Sequence, residues 1–217
     1  MSILEVSDLH FRHDKLSRWI LEDLSLRLSG GETALLIGDN GSGKSTLGKL
    51  IVGLNRAERG RVQIDGAEVG MISVPQRPRH IIYMGQTSYL QFFRSSIKDE
   101  IAFAARLSGR ETDWSDAMYP RFRLPIDANV KPMDLAYPAM WRLQLFLFAV
   151  VFSPTVLFID EIVAPGSRTQ VNALNAVLDE REEKRQITIL AYQRPLALLE
   201  GRKVRRFDLL NGRLQEA

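Results

Sequence analysis

The chain of 217 residues contains no cysteine, which excludes disulfides, thiolate zinc sites, iron–sulfur clusters and cysteine nucleophiles. Long apolar runs are also missing. The longest, Leu145 to Phe152, has eight residues, whereas a membrane-spanning helix needs about twenty, so no segment is expected to cross a bilayer by itself. Charge of one sign is scarce: 29 Lys and Arg against 26 Asp and Glu leave +3, too small an excess to argue for nucleic acid without a localised patch. The N-terminus, Met1-Ser-Ile-Leu-Glu-Val6, lacks the basic start and small-residue cleavage site of a secretory signal, and a cytoplasmic protein is expected. There is no internal repeat and no low-complexity tail. What remains, 45% hydrophobic and 25% charged residues, is the balance of an ordinary globular domain.

Hydrophobic periodicity places the elements. Ile3 to Val6, and Leu24 to Leu28 with its alternating leucines, read as half-buried strands, and Gly30-Gly31 marks a turn. Thr33 to Ile37 is a continuous apolar run, as in a strand buried on both faces. Leu47, Leu50, Ile51 and Leu54 recur at helical spacing, and Arg61 to Ile64 is a short strand closed by Asp65-Gly66. Further strands are expected at Ile81 to Met84, Thr155 to Ile159 and Ile187 to Tyr192. Helices are expected at Ile97 to Leu107 (capped by Ser96), Trp141 to Phe152 and Val171 to Leu178, with an irregular stretch over 109–135. Asn211-Gly212 closes a terminal hairpin. Strands alternating with helices argue for an α/β fold with a mainly parallel sheet.

The run Gly38-Asp39-Asn40-Gly41-Ser42-Gly43-Lys44-Ser45, with Thr46 opening the helix, fits a phosphate-binding loop. Glycines let the backbone curl so that successive N–H groups face an anion, and the helix N-terminus adds partial positive charge. Lys44 then supplies a point charge to the β and γ oxygens, and the Ser45 hydroxyl a ligand for Mg²⁺. Such a site needs a second carboxylate at the end of a neighbouring buried strand, and Asp160 ends Val156 to Ile159. Glu161 follows it as a candidate general base. The loop reads phosphates and not the base, so ATP and GTP are not told apart.

On these motifs the chain resembles the ATP-binding subunits of ABC transporters over essentially its whole length. The matching residues are Gly38 to Thr46, Val156 to Glu161, and Gln86 after a hydrophobic strand. The resemblance implies a P-loop NTPase fold with a mainly parallel core sheet, an N-terminal antiparallel β subdomain and an inserted helical subdomain. Residues 1–86 and 154–217 would form the core with its β subdomain, and 87–153 the helical part. It implies ATP and Mg²⁺ as cofactors, Ser45, Gln86 and Asp160 around the metal, and Glu161, Gln86 and Gln193 as the catalytic groups. His13 stands where the family has an aromatic ring stacked on adenine, with Phe11 turned into the core. Membrane permease subunits are the implied partners, on the inner face of the cytoplasmic membrane, with no nucleic acid. Residues 93–107 and 160–166, including Asp160-Glu161-Ile162 in place of the usual Asp-Glu-Pro, resemble exporters of capsular polysaccharide, O-antigen and teichoic acid. Cobalt and vitamin importers also resemble the segment after Gln86.

The chain departs from the family where a subunit lends residues to its dimer partner. The signature loop, typically Leu-Ser-Gly-Gly-Gln, falls at Ala136-Tyr137-Pro138-Ala139-Met140. Pro138 removes a backbone donor there. The loop after Glu161 reads Ala164-Pro-Gly-Ser167 without the usual aspartate, and the switch histidine falls at Gln193. Glutamine donates a hydrogen bond but carries no titratable charge. A second ATPase subunit with an intact signature is therefore expected as partner, with a weakly active homodimer as the alternative. A regulatory or scaffolding ABC protein with little turnover is a competing reading. The basic cluster Arg202, Lys203, Arg205 and Arg206 is the only feature that speaks for a nucleic-acid protein, and it reads more simply as a solvated edge.

Overall fold

The computed structural model describes residues 2–86, 91–111, 119–125, 127–161 and 168–217. Two sheets organise them. β1 (Ile3–Phe11), β2 (Leu21–Ser29), β4 (Arg59–Ile64) and β5 (Ala67–Glu68) form an antiparallel sheet in the order β2-β1-β4-β5. The second sheet has the order β10-β9-β3-β8-β7-β6. Its strands β3 (Thr33–Ile37), β6 (Ile81–Met84), β7 (Val156–Asp160), β8 (Ile187–Tyr192) and β9 (Val204–Leu210) run parallel. β10 (Arg213–Glu216) adds an antiparallel edge.

The apolar runs of β3, β7 and β8 are continuous because each face of the large sheet has its own core. Leu35, Ile37, Leu157, Ile159, Leu190 and Tyr192 point to one side. There they meet α3 (Ile97–Ser108), α4 (Tyr137–Phe146) and α5 (Arg168–Glu183). Ala34, Leu36, Val156, Phe158, Ile189 and Ala191 point to the other side, toward α1 (Lys44–Ile51) and the antiparallel sheet. Strict alternation along a strand buried on both faces produces this division.

The turns follow local chemistry. Asp65-Gly66 and Asn211-Gly212 both adopt positive φ (53° and 81°, 49° and 77°), the two-residue connection whose twist suits a hairpin. The Ser96 side chain caps α3 by accepting from the Asp99 N–H at 3.1 Å, and Gly109 closes it in the left-handed conformation. The strand expected at Ile3 to Val6 continues to Phe11 through an irregularity at Asp8, whose φ is 52°. That break in the period-2 pattern hides the strand's second half. The helix expected at Trp141 to Phe152 begins earlier, at Tyr137, with Pro138 in its first turn, and becomes π-helical over Leu147–Phe152. Proline is well placed there because first-turn N–H groups have no intrahelical partner.

Buried Arg181 pins α5 to the sheet, donating to Thr188 Oγ1 and to the carbonyls of Pro154 and Ile187 at 2.7–3.2 Å. Burial lowers its pKa from the usual guanidinium value. Among the described residues, no helix is long and apolar enough to cross a membrane.

Candidate functional site

β3 delivers the chain into the glycine loop, and α1 leads away from it. Gly38 must lack a side chain, since a Cβ there would lie 2.7 Å from the Leu209 carbonyl oxygen. Gly43 caps α1 at φ 107°, a conformation that L side chains rarely adopt. The Lys44 side chain is buried and donates to the Gly38 and Asp39 carbonyls at 2.6 and 2.9 Å. An ammonium has three donors, so one remains for an anion in the loop. The Ser42 hydroxyl is enclosed and has no hydrogen-bond partner among the described residues.

A cavity over the loop is lined by His13, Ile20, Asn40, Gly41, Gly43, Lys44, Ser45, Thr46, Gln86 and Glu161. Chain segments far apart in sequence thus meet around one cavity, His13 included. Phe11 is buried in the core, and the His13 ring packs edge-on against it at 5.4 Å.

Gln86 and Gln193 converge on Glu161. The Gln86 amide donates to Glu161 Oε2, and the Gln193 amide donates to Glu161 Oε1 and, at 2.8 Å, to Asn40 Oδ1. The carboxylate is therefore held by a neutral donor on each oxygen, and Gln193 ties it to the phosphate loop. Glu161 itself has φ 44°, an uncommon conformation outside glycine that turns the chain sharply at the end of β7. Tyr192 precedes Gln193 and has a buried hydroxyl without a partner among the described residues. Burial and the nearby Glu161 charge raise its pKa above the ordinary phenol value.

Asp160 is 2% exposed; its Oδ2 accepts from the Tyr83 hydroxyl, and its Oδ1 is buried without a partner among the described residues. A carboxylate so enclosed, with one neutral donor and no ion-pair partner among the described residues, is electrically incomplete. A hard cation with oxygen ligands suits the Ser45 and Asp160 pair. Tyr83 was not singled out by the motifs. The available signal is its place on β6, three residues before Gln86, beside the strand that ends in Asp160.

The signature-position residue Tyr137 is at the start of α4, and its hydroxyl donates to the Gln86 carbonyl of the same chain at 3.2 Å. The loop at 164–167 lies outside the described residues. The basic cluster is largely neutralised: Arg202 pairs with Asp179, Arg205 with Glu32 and Glu216, and Arg206 with Asp208.

Comparison with known proteins agrees with this geometry. The ABC transporter family profile matches residues 21–164. A putative ABC transporter ATP-binding protein of Bacillus thuringiensis subsp. konkukian is 38% identical over 161 residues, covering 73% of this chain and 29% of the relative. An energy-coupling factor transporter ATP-binding protein, EcfA1, of Oceanobacillus iheyensis is 27% identical over 187 residues, covering 82% and 67%. The chain spans only 29–38% of the length of the curated relatives it matches first. A solved structure described as the ATP-binding subunit of an ABC transporter superposes with TM-score 0.81 at 26% identity, covering 99% of this chain and 89% of that one. The fold is that of an ABC ATPase domain, and the chain belongs to the ABC transporter family.

Proposed function

We propose that the chain is an ATP-binding and hydrolysing subunit that powers transport by separate permease subunits, peripheral on the cytoplasmic face of the membrane. The observation that carries the reading is Glu161, held at the mouth of the phosphate loop by Gln86 and Gln193. The loop N–H groups and the free Lys44 donor bind the β and γ phosphates, and His13 packs against the base. Ser45, Gln86 and Asp160 hold Mg²⁺, which when bound neutralises charge on the phosphate oxygens. Glu161 accepts the proton of an attacking water, and the two glutamine amides fix its orientation. Binding is expected to vanish in Lys44→Ala, read by calorimetric titration with Mg·ATP; unchanged affinity would overturn the assignment.

The site is completed by a different ATPase subunit. Residues 136–140 carry no serine and contain Pro138, and Tyr137 is engaged within its own chain, so this subunit offers little to a partner's nucleotide. Losing even one γ-phosphate donor typically costs about 10²-fold or more in rate. Turnover should therefore be slow for the chain alone and rise with the partner; stimulation absent in every pairing would favour the regulatory reading.

We infer that the coupled transporter is of the energy-coupling-factor kind rather than a polysaccharide exporter. The relative of that name aligns over 82% of the chain, whereas the export resemblance rests on residues 93–107 and 160–166, of which 162–166 lie outside the described residues.

A further inference from the structure

We infer that Tyr83 is a positioning residue for the metal-holding pair, its hydroxyl fixing one carboxylate oxygen of Asp160 at the end of β7. The inference rests on the reading of Ser45 and Asp160 given above.

The placement follows from strand register. Tyr83 on β6 pairs directly with Phe158 on β7, two residues before Asp160, so the side chain runs along β7 and its hydroxyl meets Asp160 Oδ2. The ring is fixed from two sides. Phe158 stacks on it with centroids 5.8 Å apart and planes at 25°. On α1, Gly48 leaves the space that the ring edge fills, since a Cβ there would lie 2.8 Å from Tyr83 Cε2.

A ring so confined holds its hydroxyl at one point. A carboxylate on a single-bonded side chain otherwise rotates between equivalent poses. With Oδ2 engaged, Oδ1 is left buried and unpartnered among the described residues, with its lone pairs free for a cation or for a water on that cation. Groups that orient a metal ligand from outside the coordination sphere are worth about 10–100-fold in metal affinity when removed.

The test is Tyr83→Phe, which keeps the ring and removes the oxygen. Mn²⁺ serves as the metal probe, titrated into the ATP-bound full chain and followed by electron paramagnetic resonance. The expected result is about tenfold weaker Mn²⁺ retention, with ATP affinity in excess chelator and the melting temperature of the nucleotide-free chain unchanged. Unchanged Mn²⁺ affinity would overturn the proposal, as would tighter binding, which would make the hydroxyl a competitor of the metal. Asp160→Asn separates the two levels. If it abolishes Mn²⁺ retention while Tyr83→Phe does nothing, only the role of Tyr83 fails. If Asp160→Asn also has no effect, the assignment of the metal pair falls and the Tyr83 proposal with it.

Discussion

Gly48→Ala tests whether α1 is packed as tightly on β6 and β7 as the site requires. In an exposed helix this change stabilises, because alanine is the better helix former by about 1 kcal/mol. At Gly48 the new methyl would lie 2.6 Å from Phe158 Cε1 and 2.8 Å from Tyr83 Cε2, against an ordinary contact of 3.4 Å or more. Phe158 is fully buried in the core beneath α1 and has nowhere to retreat. Against a ring that cannot move, an overlap this close belongs in the upper part of the overpacking range, about 2–3 kcal/mol, which exceeds the propensity gain and leaves a net loss of about 1–2 kcal/mol. For a chain of this size that lowers the melting temperature by roughly 2–8 °C, measurable by calorimetry. A second effect follows from the first: the methyl pushes the Tyr83 ring, so Mn²⁺ retention with ATP should fall as well. A melting temperature equal to or above that of the parent chain would refute the packing argument.

Two further outcomes concern stability. Gln144 on α4 is fully buried, and neither of its polar side-chain atoms has a partner among the described residues; Gln144→Met, of similar shape, should raise stability by about 1–2 kcal/mol in urea unfolding, and a loss would show that the amide is paired. Tyr83 and Tyr192 both have raised pKa values in the fold, chiefly through burial, so the native state keeps phenolic protons that the unfolded chain releases above about pH 10. Stability should be insensitive to these groups below that pH and decline above it, and the decline measured by urea unfolding should be shallower in Tyr192→Phe.

The parts of the fold legible in the sequence are those set by local or repeating chemistry. The buried runs of β3, β7 and β8, the Ser96 cap and the two positive-φ turns each depend on residues near one another. The phosphate loop is legible for the same reason, since its glycines, Lys44 and Ser45 lie within eight consecutive residues. Gln193 is placed by counting from Tyr192, but its bridge between Asn40 and Glu161 joins residues 153 and 32 positions away and carries no local pattern. Tyr83 is hidden likewise, because its partner Asp160 is 77 residues distant. The partners of the basic cluster are hidden for a related reason: Glu32, Asp179 and Glu216, which neutralise Arg202 and Arg205, come from other elements.

The central claim is that this chain keeps its own nucleotide half-site and depends on a different subunit for the signature half. Glu161→Gln, which should bind ATP without hydrolysing it, tests it in one sedimentation-velocity experiment on the purified chain with saturating Mg·ATP. A nucleotide-bound monomer is expected, because two copies would face each other with Tyr137 and Pro138 where γ-phosphate donors are needed. A stable, ATP-dependent homodimer would contradict it.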